Sequence, residues 1–179
     1  MIAIVDYGVG NLFSLRSSLA HLGLDAVVTA DPAVLRAADR IILPGVGAFG
    51  DAMAKLSATG LVPVIREEAR KKPLLGICLG MQLLFEKSDE YGEHAGLGFV
   101  PGEVCPLEPD LKDPSLKVPQ IGWNALHIVR DDPLFRYIRE GEYVYYVHSY
   151  YGRHCEASTL AVSDYSIPVT GVIRAGRVY

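Results

Sequence analysis

Residues 74–86 read LLGICLGMQLLFE. An apolar strand, Leu74 to Ile77, runs into a cysteine that has a glycine two residues away on each side. Apolar spacing from Leu79 through Leu83 predicts a helix over Leu79–Lys87. Gly76-Ile77-Cys78-Leu79-Gly80 therefore has the form of a nucleophile elbow, with cysteine in the place of serine. A strand that turns sharply into a helix crowds its neighbours, so the flanking positions need little or no side chain. The turn lifts the sulfur above the sheet, and the helix start beside it favours thiolate over thiol. The Leu79 N–H then points toward an oxyanion formed on an attacked carbonyl. A lone cysteine in an apolar run is more often a packing residue. The two spaced glycines at a strand–helix joint reverse that expectation.

Outward from the elbow, strands and helices alternate. Ile2 to Asp6 is apolar, and Asn11 is placed to cap a helix carrying Leu12, Leu15, Leu19 and Leu22, which Gly23 ends. Ala26 to Val28 and Ile41 to Leu43 read as strands, and Phe49 to Lys71 as helix with a break at Thr59-Gly60. Strands that are almost wholly apolar and alternate with helices imply an open, mostly parallel sheet with helices on both faces. The last third changes character. It predicts strands at Gly98–Val104, Gln120–Trp123, Tyr143–His148, Leu160–Val162 and Gly171–Arg174, read as antiparallel additions to the same sheet. No repeat or linker divides the chain, so residues 1–179 read as one domain.

Parallel sheets bind ligands at the carboxyl ends of their strands. Asp6-Tyr7-Gly8-Val9-Gly10-Asn11, Pro44-Gly45-Val46-Gly47, Cys78 and His148-Ser149-Tyr150 each follow a predicted strand. Parallel strands would bring all four groups to one edge. The glycines of Pro44–Gly47 let backbone N–H groups approach a ligand, which makes Val46 and Gly47 candidate partners of Leu79 in an oxyanion hole.

The 179 residues carry 21 acidic and 17 basic side chains, a formal charge of −4, and half of them are apolar. With no basic block, a nucleic-acid surface is not expected. No signal peptide and no membrane span is read in the chain. The three cysteines, Cys78, Cys105 and Cys155, are odd in number and far apart, which argues against a disulfide framework or a zinc ribbon and for a reducing, cytoplasmic setting. The Gly8–Gly10 pair would need its third glycine at Phe13, so no dinucleotide fingerprint is present. The tyrosines between Tyr143 and Tyr151 read as packing on a sheet face rather than as a base-stacking platform. No metal or cofactor is expected, and a flavin carrier of the same architecture has no support in the residues.

Taken together, DYGVGN (6–11), PGVGAFG (44–50), GICLGMQLLFE (76–86), QIGWN (120–124) and YVHSYY (146–151) resemble the class I, triad, glutamine amidotransferases. Within them, DYGVGN with QIGWN resembles the glutaminase subunit of imidazole glycerol phosphate synthase, over essentially the whole chain. The resemblance implies a flavodoxin-like fold and a heterodimer with a cyclase of (β/α)8 form. It implies that Cys78 attacks the side-chain amide of glutamine, and that the ammonia passes to the cyclase for histidine biosynthesis. Gln82 and Glu90 are then expected to contact glutamine, Glu90 at its ammonium group. The backbone of Ser149 and Tyr150 would receive its carboxylate. Asn11, Gln120 and Trp123 would lie near the partner.

The family's base is a His-x-Glu pair in a Phe-His-Pro-Glu segment after the final hairpin. None of the five histidines, His21, His94, His127, His148 and His154, stands in that context. The hairpin at Ala175-Gly176 has a short return arm, so a further C-terminal segment carrying the base is expected. Three other readings stand beside a glutaminase. They are an amidotransferase of another pathway such as that of vitamin B6, a cysteine hydrolase, and a docking subunit without activity.

Overall fold

The first strand explains the layering. In β1 (Ile2–Val5) every residue is buried, Ile2 and Ile4 toward one face and Ala3 and Val5 toward the other. A strand buried on both faces needs cover on both. The computed structural model describes residues 1–179. On one face, Ile2, Ile4 and Ile42 meet Leu12, Leu15 and Leu19 of α1 (Leu12–His21). On the other, Ala3, Val5, Ile41 and Leu43 enter a core of 25 buried residues. Helices α2 (Pro32–Ala37), α3 (Phe49–Ala58) and α4 (Val62–Glu68) supply Leu35, Phe49, Leu56 and Ile65 to that core.

The central sheet has the order β2-β1-β3-β4, all parallel, with β2 at Ala26–Thr29, β3 at Arg40–Leu43 and β4 at Leu74–Gly76. Asn11 caps α1, its side-chain oxygen accepting from Ser14 N–H at 3.2 Å. Helix α2 is absent from the sequence reading, although Asp31 before Pro32 is a cap-and-proline start signal. After Cys78 comes α5, only Leu79–Gln82.

That helix is shorter than the expected Leu79–Lys87. Leu83, Leu84 and Phe85 are all fully buried, and the chain turns at once into β5 (Phe85–Ser88). Strand β5 pairs in parallel with β7 (Val100–Pro106) and antiparallel with β6 (His94–Ala95). A continuous apolar run fits a buried strand as well as a helix face, and here the pairing with β7 decides.

The strands of the last third do not extend the central sheet as expected. They form separate antiparallel pairings. β8 (Gln120–Ala125) and β10 (Tyr143–His148) make a two-stranded ribbon. β12 (Thr159–Asp164) lies between β9 (His127–Ile128) and β13 (Pro168–Ile173), and β11 (Tyr150–Arg153) joins β7. What does extend the central sheet is the arm after the Ala175-Gly176 turn. Leu74 N–H donates to Arg177 O at 3.0 Å, and Gly76 N–H to Tyr179 O at 2.8 Å, a parallel addition beside β4.

Candidate active site

The elbow is built from glycines packed on one another. A Cβ on Gly80 would lie 1.9 Å from Leu43 O, one on Gly76 2.6 Å from Gly80 O, and one on Gly45 2.5 Å from Gly80 N. The ends of β3 and β4 and the start of α5 therefore share a space that admits only backbone. Cys78 takes φ 56° and ψ −120°, a region that non-glycine residues rarely occupy. Such strain persists where surrounding packing over-determines it, and nucleophile elbows are such places.

Of the three cysteines, Cys78 alone is exposed. Cys105 is buried, and burial foremost, with Glu103 close by, pushes its thiol up to about 11. Cys155 is buried against Thr159 and Thr170. A thiol must be open to its substrate to react, so these two buried cysteines are packing residues.

One pocket of about 630 Å³ is lined by Val46, Gly47, Cys78, Leu79, Gln82, Glu90, Ser149 and Tyr150. Those are the eight residues nominated for nucleophile, oxyanion hole and substrate contact. Tyr91, Glu108, Val118, Pro119, Val147 and His148 complete the wall. Leu79 opens α5, where first-turn N–H groups have no partner inside the helix. Gln82 Nε2 donates to Tyr150 O at 3.0 Å and ties α5 to β11. Glu90 Oε2 accepts from Phe49 N–H at 2.6 Å, at the start of α3.

His148 belongs to this pocket and to a neighbouring cavity of about 310 Å³ that Cys78 also lines. Its placement follows from a chain of hydrogen bonds. Asn124 Nδ2 donates to Asp164 O at 3.3 Å, and Gln120 Nε2 to Asn124 Oδ1 at 3.0 Å. Gln120 Oε1 then faces His148 Nε2 at 2.8 Å, and His148 Nδ1 lies 2.9 Å from Tyr150 O. Both ring nitrogens face an acceptor oxygen, and a neutral ring, with one N–H, donates to only one of the two. Burial is the main influence on the ring and lowers its pKa from 6.5, against the Tyr150 bond, which raises it. The sequence reading did not foresee this network; its only signal is the spacing of Gln120, Asn124 and His148 on two strands.

The three residues nominated for the partner face divide. Trp123 is two-thirds exposed and meets Tyr145 edge to face, ring centroids 5.4 Å apart. Asn11 is exposed at the start of α1. Gln120 is 1% exposed and faces inward, into the network above. Around Trp123, the outer face of the ribbon presents Ile121, Tyr143, Tyr145 and Val147 to solvent. His154 and Glu156 have a His-x-Glu spacing but line a different cavity, with His154 Nδ1 3.2 Å from Glu103.

A cysteine at a strained strand–helix elbow, beside a glycine-rich loop at the carboxyl edge of a parallel sheet, describes a known group of enzymes. Residues 3–174 match the family model glutamine amidotransferase class-I, and the chain belongs to that family. A crystal structure of a glutamine amidotransferase shares the fold at TM-score 0.74 and 19% identity, covering 99% of this chain and 87% of that one. A glutamine amidotransferase from Thermotoga maritima does so at TM-score 0.62 and 15% identity, over 99% of this chain and 72% of that one.

Within the family, several relatives at 46–49% identity carry one name. Imidazole glycerol phosphate synthase subunit HisH of Wolinella succinogenes is 46% identical over 99% of this chain and 88% of its own length. The subunits so named from Lacticaseibacillus casei and Bacillus cereus are 47% and 46% identical, each over 84% of its own length and 99% and 100% of this chain.

Proposed function

We propose that this chain is the glutaminase subunit of an imidazole glycerol phosphate synthase, hydrolysing glutamine and supplying ammonia to a cyclase. The observation that carries the reading is the single pocket in which Cys78 meets Val46, Gly47, Leu79, Gln82, Glu90, Ser149 and Tyr150. The Cys78 sulfur attacks the side-chain carbon of glutamine, and Leu79 N–H with Val46 or Gly47 N–H holds the resulting oxyanion. The carbon–nitrogen bond breaks, and ammonia leaves carrying the thiol proton. Water then splits the thioester into glutamate and free Cys78. Glu90 pairs with the substrate ammonium, and the Ser149–Tyr150 backbone takes its carboxylate. No cofactor or metal enters these steps.

His148 is not assigned as the base, since both of its nitrogens already face carbonyl oxygens. The Phe-His-Pro-Glu context of the family's base does not occur within residues 1–179. We place the unit as one domain acting in the cytoplasm. None of its helices is long and apolar enough to cross a membrane.

The partner, of (β/α)8 form, docks on the ribbon of β8 and β10 in this reading. Its outer face is a contiguous apolar patch, the kind of surface that marks an interface. Tyr145 and Val147 of that ribbon also line the cavity beside Cys78. In this reading the cavity that Cys78 and the ribbon share is where released ammonia meets the partner's side of the molecule. Asn11 stands at the same carboxyl edge of the sheet.

The test is ammonia and glutamate release from glutamine by the protein in complex with its cyclase. Equal release is expected, and Cys78→Ala should reduce it to background. Intact glutamine after prolonged incubation with an active cyclase would sink the reading. Retained turnover in His148→Ala supports a base other than His148, and its loss would overturn that assignment.

A further inference from the structure

The loop Pro44–Gly47 stands over the elbow, and its first residue is held from below by Tyr7. Tyr7 is 4% exposed, and its ring sits in the main core with Val5, Leu43 and Leu79. Its hydroxyl lies 2.7 Å from Pro44 O. A carbonyl only accepts, so the hydroxyl donates. Burial pushes the phenol up to about 12, so this donor keeps its proton throughout the working range.

Two further contacts fix the same end of the loop. A Cβ on Gly10 would come within 2.9 Å of the Pro44 side chain, and one on Gly45 within 2.5 Å of Gly80 N. At the far end, Phe49 N–H is held by Glu90. Pro44, Gly45 and Phe49 are buried, whereas Val46 and Gly47 are exposed. Gly47 has φ +92° and nothing within 4 Å of its missing Cβ. The loop is thus a short arch with two fixed feet and a free crown, and the crown carries the candidate oxyanion donors.

We infer that Tyr7 is a positioning residue for the oxyanion hole. Its hydroxyl fixes the Pro44 carbonyl and with it the plane of the Pro44–Gly45 peptide, from which the Val46–Gly47 crown projects. This rests on the glutaminase reading. A donor that serves an oxyanion matters only after the sulfur has attacked, not while glutamine binds. Tyr7→Phe removes the hydroxyl and leaves the ring. Its effect should therefore fall on the transition state and spare the ground state.

The experiment uses the protein in complex with its cyclase. Three quantities are measured for parent and Tyr7→Phe: kcat and KM for glutamine, the affinity for glutamate, and the affinity for glutamate γ-semialdehyde. The aldehyde adds to Cys78 to give a tetrahedral hemithioacetal, with one new carbon–sulfur bond and the thiol proton transferred to the adduct. Loss of one such hydrogen bond is expected to lower kcat about tenfold and weaken the aldehyde by a similar factor. KM and the glutamate affinity should stay within about twofold of the parent. Gly10→Ala, which presses a methyl onto Pro44, should give the same signature by another route. An unchanged kcat and aldehyde affinity in Tyr7→Phe would overturn the inference. So would equal weakening of aldehyde and glutamate, which is the mark of general damage. If parent and Cys78→Ala bind the aldehyde alike, the glutaminase reading itself fails, and Tyr7 with it.

Discussion

Glu90 and Phe49 are 41 residues apart, yet Glu90 Oε2 accepts from Phe49 N–H at 2.6 Å. Phe49 opens α3, whose own cap position, Ala48, offers no side-chain bond. Glu90 therefore does the capping from a distant loop, and it does so beside Val46, Gly47 and Cys78. One carboxylate caps the helix that follows the Pro44–Gly47 loop and also lines the pocket proposed for the substrate.

These two roles separate by substitution. Glu90→Gln keeps an acceptor for Phe49 but removes the charge. Its kcat/KM for glutamine should fall by about 10- to 100-fold, the worth of a charge-assisted bond, with little change in stability. Glu90→Ala should lose the same activity and about 1 kcal/mol of stability besides, as a lost cap does. Paired kinetics and urea melts read both. Equal stability of the two variants would refute the capping role.

The strain at Cys78 predicts an opposition between stability and activity. With φ at 56°, the residue stands where glycine is at ease and alanine is not. Cys78→Gly and Cys78→Ala should both abolish glutamine hydrolysis. Cys78→Gly should nevertheless be the more stable of the two by about 1 kcal/mol. Chemical denaturation of the pair settles it, and a less stable glycine variant would mean that the elbow is not strained.

Gly80 is constrained by space, not by dihedral angle. A methyl there would lie 1.9 Å from Leu43 O, a backbone atom with no freedom to move aside. Gly80→Ala should cost about 3 kcal/mol or more, at the upper end of overpacking effects, and show as loss of soluble protein. Gly60→Ala meets nothing within 4 Å and carries only the cost of φ +71°. It should fold with a loss of about 1 kcal/mol. Comparable stability of the two variants would contradict the close packing of β3 on α5.

Trp123 is the exposed aromatic at the centre of the ribbon's outer face. Interface energy concentrates in such residues. Trp123→Ala should weaken the complex with the cyclase at least tenfold, corresponding to about 1.4 kcal/mol or more. Titration calorimetry measures this, and unchanged affinity would move the interface elsewhere.

Much of this was legible in the sequence because local rules and global fold agree there. The apolar strands at Ile2, Ile41 and Leu74 and the glycines around Cys78 allow one architecture and one joint. Class and family match that architecture. Parallel strands predict that the four strand-end groups converge; three of them line one pocket, whereas Asp6–Asn11 reaches only Pro44, through Tyr7 and Gly10, and the His148 group arrives differently. His148 ends β10, which is antiparallel to β8 and outside the central sheet. The sequence states that Tyr143–His148 is a strand, but not which strand it pairs with. The end of α5 is ambiguous in the sequence for a similar reason, since Leu83-Leu84-Phe85 fits helix and strand alike until β7 is in place. The bonds from Glu90 to Phe49 and from Tyr7 to Pro44 span 41 and 37 residues and leave no local pattern.

His148 carries a pH dependence whose sign is fixed by its surroundings. Burial lowers its pKa from 6.5, with the Tyr150 carbonyl opposing. The folded protein thus keeps the ring neutral to a lower pH than the unfolded chain does. Well above pH 6.5 both states are neutral, and the ring adds no pH dependence. As pH falls through 6.5, the unfolded chain binds its proton first, so stability falls with pH until the folded ring protonates too. His148→Asn keeps a donor for Tyr150 O and removes the titration. The drop in urea midpoint between about pH 7 and pH 5 should be smaller in this variant than in the parent. Gln120→Glu should act in the opposite sense. A carboxylate 2.8 Å from Nε2 favours the charged ring, raises its pKa and moves the loss of stability out of the acid range. Histidine NMR titrations of the parent and the Gln120→Glu variant measure the shift directly. A lower pKa in the glutamate variant would show that the Gln120–His148 contact does not govern the ring.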